Sequence, residues 1–195
     1  MIVSGVVEGA VDDAVLRRLL WDAGHGVGPI HVKNGKAGVL AKLHGYNAAA
    51  EFGSWLVLVD LNGDESCAPT FAANLLPNPG PGMRLRVAVR QVEAWLLADK
   101  RRFAQFLRVG QARIPENPDA LADAKQFVVD LARRSSSSSV RADLVPTRGS
   151  GRRVGPGYVP RMIEFIESAW APDEASSRSE SLRRCVRCIA SMTGS

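Results

Sequence analysis

Four short, largely apolar runs, each followed by a stretch of different periodicity, fill the first 110 residues and limit the fold more than any other feature. Residues 2–7 (IVSGVV) are rich in β-branched side chains and read as a buried strand. Val11, Val15, Leu16, Leu19 and Leu20 then recur at helical spacing over residues 11–21, and Gly24 and Gly26 close that helix. Residues 29–32 read as a second strand, 37–50 as a helix weakened by Gly45, and 55–59 as a third, wholly apolar strand. Residues 68–76 read as a short helix, NPGPG at 78–82 as a loop, and 85–89 as a fourth strand. Residues 92–107 read as one strong amphipathic helix. Strands that are apolar on both faces and alternate with helices predict an α/β, Rossmann-like parallel sheet of about four strands, with helices on both faces.

The pattern changes after residue 110. Pro115 and Pro118 break the chain, residues 119–134 read as a helix, and the serine run 135–139 reads as a flexible linker. Residues 146–158 (PTRGSGRRVGPGY) carry Gly, Pro and Arg without large apolar side chains, so they form a long loop. Residues 160–170 and 180–192 read as two more helices. The expected organisation is an α/β domain over 1–110 and a helical extension over 111–195 packed on it, within the size of one domain and an appendage.

Composition narrows the class. A chain that is 46% hydrophobic and 23% charged is globular in type, not disordered. No apolar run approaches the roughly 20 residues that a membrane helix needs. The start, MIVSGVVEGAVDD, lacks a basic leader region, and three cysteines do not make a full disulfide framework. A cytoplasmic protein of bacterial type is expected, with no membrane partner. The net charge of +5 is unevenly spread: residues 1–110 hold 12 Lys/Arg against 10 Asp/Glu. Between Arg133 and Arg161, seven arginines face only Asp143. Such a local excess is the footprint of a polyanion binder.

Carboxylates stand where the strands end. The first strand runs into Glu8 and the third into Asp60, followed by Asn62, Asp64 and Glu65. In a parallel sheet the carboxyl ends share one edge, where ligands bind. Oxygen donors grouped there suit Mg²⁺ or Mn²⁺. Glu93, just after the fourth strand, falls at the same edge if the strand order allows; it also suits a helix start. Asp12 and Asp13 read as first-turn carboxylates of the helix that follows Glu8. Lys33 and Lys36 flank a tight Asn34-Gly35 turn and are candidates to touch phosphate, as are Arg148, Arg152 and Arg153 in the long loop. Cys185 and Cys188 have no second pair, His25, His31 and His44 are scattered, and no GxSxG occurs, so neither zinc nor acyl transfer is expected.

VVEGAVDDAVLRRLL and LVLVDLNGD, each following a strand, resemble the Toprim domain, the catalytic α/β module of topoisomerases, primases and OLD-type nucleases. Together with VAVRQVEAWLLADKRRF, VGPGYVPRMIEFI and SESLRRCVRC, the pattern resembles a bacterial family of Toprim-like proteins of undefined function, related to the OLD nucleases and met in phage defence. The resemblance implies that Glu8 is the Toprim glutamate, a metal ligand or general acid/base, and that Asp60 is the first aspartate of a DxD motif. Here that motif reads Asp60-Leu61-Asn62, so Asn62 offers a carbonyl oxygen but no charge, and Asp64 is the candidate replacement. Glu8, Asp60, Asp64 and Glu93 are then the expected metal set, with Glu8 and Asp60 catalytic. The implied function is a metal-dependent nuclease acting on DNA or RNA, with an ATPase partner encoded nearby. The alternatives are a non-catalytic nucleic-acid-binding or regulatory module, or phosphoryl or nucleotidyl transfer at the same site.

Overall fold

The computed structural model describes residues 1–63 and 67–192. The first part runs β1 (Ile2–Val7), α1 (Ala10–Asp22), β2 (Gly26–Val32), α2 (Lys36–Leu40), α3 (Leu43–Ala49), β3 (Ser54–Asp60), α4 (Ala68–Leu75) and β4 (Met83–Ala88). The strands form one four-stranded sheet in the order β2-β1-β3-β4, and every neighbouring pair is parallel. Then follow α5 (Val92–Ala98), α6 (Lys100–Leu107), α7 (Ala124–Arg133), α8 (Ser138–Leu144), α9 (Tyr158–Ser168), α10 (Pro172–Ala175) and α11 (Glu180–Ala190). The α/β class, the parallel sheet covered on both faces and the helical C-terminal region therefore stand as the sequence implies.

Alternation along each strand sorts side chains between two cores. Val3, Val7, Leu56, Leu58 and Ala88 lie in the larger core, with Leu16 and Leu20 of α1, Trp95 of α5, Phe165 of α9 and Leu182 of α11. Val6, Val57, Val59, Leu85 and Val87 lie in the smaller one, with Val39 of α2, Leu43 of α3 and Phe71 of α4. The last helices thus complete the cover of one sheet face. Polar links tie them there: Arg18 donates to the Ile166 carbonyl at 2.8 Å, and His25 Nε2 lies 2.9 Å from that of Ile189.

Several boundaries differ from the sequence reading. The expected helix 92–107 is two helices broken at Asp99, whose buried carboxylate accepts from the Arg102 N–H at the start of α6 and from Ala171 N–H at 2.9 Å. That capping role needs a non-helical residue, so the helix yields to it. The expected helix 37–50 divides into α2 and α3 around Ala41 and Lys42. β2 starts earlier than residue 29, because Gly26 and Val27 pair with Ile2 and Val3. The serine run is no linker. Ser135 is buried, and the Ser137 hydroxyl accepts from Val140 N–H to cap α8, a position serine favours. α10 was absent from the sequence reading. The loop 146–158 is irregular, as expected, but its end is pinned: a Cβ at Gly155 would stand 2.3 Å from the Asp143 carbonyl oxygen, so only glycine fits.

Candidate functional site

The chain leaves β1 at Glu8 and β3 at Asp60, and the two strands are parallel neighbours, so both residues emerge at one edge. The Asp60 backbone N–H donates to Glu8 Oε1 at 2.8 Å. Asp60 Oδ1 in turn accepts from Val92 N–H at 3.0 Å, which fixes the first turn of α5 against the edge. That turn carries Glu93, fully buried. Glu93 Oε1 accepts from the Tyr158 hydroxyl at 3.2 Å and pairs with Lys125 Nζ at 3.3 Å. The sequence-derived trio of Glu8, Asp60 and Glu93 is therefore brought together.

Asp12 joins them, against expectation. Asp13 behaves as a first-turn carboxylate should, half-buried and paired with Arg17 at 2.9 Å. Asp12, one residue earlier, lies on the buried side of α1 and is 7% exposed. A helix turns by about 100° per residue, so adjacent carboxylates have opposite fates. Tyr158 and Lys125 were also missed. They come from the end of the loop and from α7, and nothing local in the sequence marks either as a partner of Glu93.

Charge in this edge is poorly balanced. Burial, followed by the charges of Glu93 and Glu8, raises the Asp12 carboxyl to about 7. Burial, then Asp12, Glu93 and Glu8, holds Asp60 well above the usual carboxylate range. Burial works against the Lys125 ammonium, but Glu93, Asp60 and Asp12 outweigh it and raise its pKa. Burial and then Glu93 push the Tyr158 hydroxyl upward. Asp12 Oδ1 and Glu93 Oε2 are buried without a hydrogen-bond partner among the described residues. Unpaired carboxylate oxygens in a low-dielectric site are costly and are relieved by a proton or by a cation. Hard oxygen donors of this kind fit Mg²⁺ or Mn²⁺. As the side chains stand, however, no three His, Cys, Asp or Glu among the described residues form a ready-made metal cage.

Asn62 is occupied elsewhere. It takes a left-handed turn (φ 51°), its backbone exchanges hydrogen bonds with Arg90, and its Oδ1 accepts from Gln91 Nε2 at 3.3 Å. Gln91 Oε1 accepts from Lys125 N–H at 3.0 Å, so the asparagine braces the edge. Asp64, the expected replacement ligand, lies outside the described residues.

The cations divide into bound and free. Lys36 Nζ donates to the Leu61 carbonyl at 3.2 Å, beside the edge, while Lys33 Nζ stands 5.6 Å from the centre of the Tyr46 ring. Arg153 pairs with Asp123, the residue that caps α7 two positions before Lys125. Arg148 and Arg152 are exposed, with no side-chain ion pair among the described residues. Arg161 is held by Asp143 and Glu164, at 2.8 and 3.0 Å. Comparison with protein-family models, with curated proteins and with solved structures finds no match for this chain. Among the described residues, no helix is long and apolar enough to cross a membrane.

Proposed function

We propose that this edge binds a divalent cation and carries out phosphodiester chemistry on nucleic acid, as a metal-dependent nuclease. The observation that carries this reading is the convergence of Glu8, Asp12, Asp60 and Glu93, with buried carboxylate oxygens left unpartnered. These four side chains would hold Mg²⁺ or Mn²⁺, the first two elements of the site coming from β1 and α1. A bound divalent ion supplies a Lewis acid for the phosphodiester and an acidified water. The chain's own groups do the rest. Tyr158 and Lys125 orient Glu93. Lys36, Arg148 and Arg152 neutralise backbone phosphates. The Toprim resemblance agrees with this reading and implies an ATPase partner and a place in phage defence, while the cytoplasmic location is proposed from the composition.

The test is incubation with DNA and with RNA in Mg²⁺, Mn²⁺ and EDTA. Cleavage should require the ion, and Glu8→Ala and Asp60→Asn should each lower it by about a hundredfold or more, since these groups hold the ion. Binding should survive in Glu8→Ala. Cleavage that persists in EDTA, or in both variants, overturns the proposal.

One observation favours a second reading. The Lys125 ammonium already stands at Glu93 and is pulled up by Asp60 and Asp12, so it can serve as a tethered counter-cation in a non-catalytic nucleic-acid-binding module. Calorimetric titration with Mn²⁺ separates the two. The nuclease reading expects heat from the parent protein. The binding-module reading expects heat only once Lys125→Met has removed the ammonium.

A further inference from the structure

Among the described residues β4 is an edge strand, paired with β3 on one side only. The carbonyls of Gly82 and Ala88 accept from Trp55 and Leu61 on the β3 side, so the even-numbered residues of β4 turn their backbone groups inward. In a parallel strand the N–H and C=O of one residue share a side and alternate residues face opposite sides. Leu85 and Val87 therefore present theirs outward, and Val89 N–H is met by the Ser181 hydroxyl at 3.2 Å.

A cavity of about 750 Å³ lies along this edge. Ala68, Pro69 and Ala72 of α4 wall it on one side, and Ser181 and Arg184 of α11 on the other. Leu85, Arg86 and Val87 form its floor. Two of its polar atoms are buried without a hydrogen-bond partner among the described residues, Arg86 Nε and Asp119 Oδ1. Arg184, by contrast, is already satisfied by Glu180 at 2.8 Å. Among the described residues of the lining, Arg86 is thus the cation without a carboxylate partner, and Asp119 keeps its other oxygen on Ser181 at 3.3 Å.

We propose that this slot receives an extended, acidic peptide segment of a partner protein, which adds beside β4 as a further strand. Leu85 and Val87 would supply main-chain hydrogen bonds, the α4 wall would take small apolar side chains, and Arg86 would take a carboxylate of the incoming strand. A second copy of this chain is the poorer occupant. Arg84 and Arg86 lie on one face of β4, and a two-fold antiparallel pairing centred on residue 85 or 86 sets Arg84 against Arg86, or Arg86 against itself. Like charges directly opposite are destabilising.

The experiment uses the full chain and two capped pentapeptides, Val-Glu-Val-Glu-Val and Val-Lys-Val-Lys-Val, followed by amide NMR and fluorescence titration. The acidic peptide should shift the Leu85 and Val87 amide resonances and slow their hydrogen exchange, and the basic one should not. Arg86→Gln should weaken the acidic peptide by about tenfold, the loss of one charge-assisted hydrogen bond. Val87→Pro removes an outward N–H while sparing the ladder to β3, and should abolish binding. Ala72→Glu places a repelling charge on the partly buried α4 wall, and should do the same if the proline variant does not fold. Equal binding of both peptides, no binding of either at millimolar concentration, or unchanged affinity in Arg86→Gln overturns the proposal. So does a dimer in sedimentation that Val87→Pro dissociates, which would assign the edge to a second copy.

Discussion

The acidic edge of the sheet and the basic loop 146–158 carry opposite charge, and they also keep it in opposite ways. Glu8, Asp12, Asp60 and Glu93 are half or fully buried and press on one another, with Lys125 as the cation placed among them. The loop's Arg148 and Arg152 stand in solvent, where water and salt dissipate their charge. Charge held out of water is a strained, specific device. Charge left in water is a general one that attracts any polyanion. The two regions meet at Tyr158, where the loop ends on Glu93.

The strongest way to break this contrast is to remove the half-buried cation that faces the buried Glu93. Lys125→Met should destabilise the protein in EDTA by about 3–5 kcal/mol, the usual consequence of leaving a buried charge unpaired. Urea unfolding measures it, and Mn²⁺ should return part of the loss. A variant as stable as the parent would show that the carboxylates do not share the charge of Lys125.

Next in size is the pH dependence. Asp12 has a folded-state pKa near 7, and Asp60 is also raised, against an unfolded value near 3.8. Between these limits the native state binds more protons than the unfolded chain. The stability from these groups is full below about pH 4 and declines as pH rises to about 7, by about 4 kcal/mol from Asp12 alone. Asp12→Asn should flatten that slope in metal-free thermal melts taken across the window. A slope of the opposite sign would mean that these carboxylates are stabilised as anions.

The smallest effect on stability should come from the loop. Arg148→Ala with Arg152→Ala should change it by no more than about 0.5 kcal/mol, as for other surface substitutions. The same pair should flatten the dependence of log K on log salt by about 0.9 per lost phosphate contact on duplex DNA. Adding Arg153→Ala should do less for binding and more for stability, because it strips Asp123 of its partner. Equal salt slopes for parent and double variant would return the loop to an inert surface.

Strand-end carboxylates were legible because an apolar run fixes where the chain leaves the sheet. Glu8 and Asp60 follow such runs directly, and Glu93 follows the fourth after a short connection. Asp12 was not legible as a site residue, since a first-turn carboxylate suits a helix start whether it points inward or outward. The break at Asp99 was hidden for a related reason: no Gly or Pro marks it, and its cause is the Ala171 N–H, 72 residues away. The serines of 135–139 looked like a linker by composition, yet one serine in capping position is enough to start α8. Lys125 and Tyr158 reach the edge only through the packing of distant helices on the larger core, which no local pattern encodes.

Order of synthesis gives the site a history. Every described acidic member lies at or before residue 93, whereas the ammonium and the phenol that engage Glu93 lie at 125 and 158. A chain growing from the ribosome completes β1 through β4 and the start of α5 while Lys125 is still unmade. Domains generally fold as units, and here the larger core also waits for Phe165 and Leu182. The acidic edge is therefore complete only when the last helices pack on the sheet, and a truncated chain would display the carboxylates without the residues that order them.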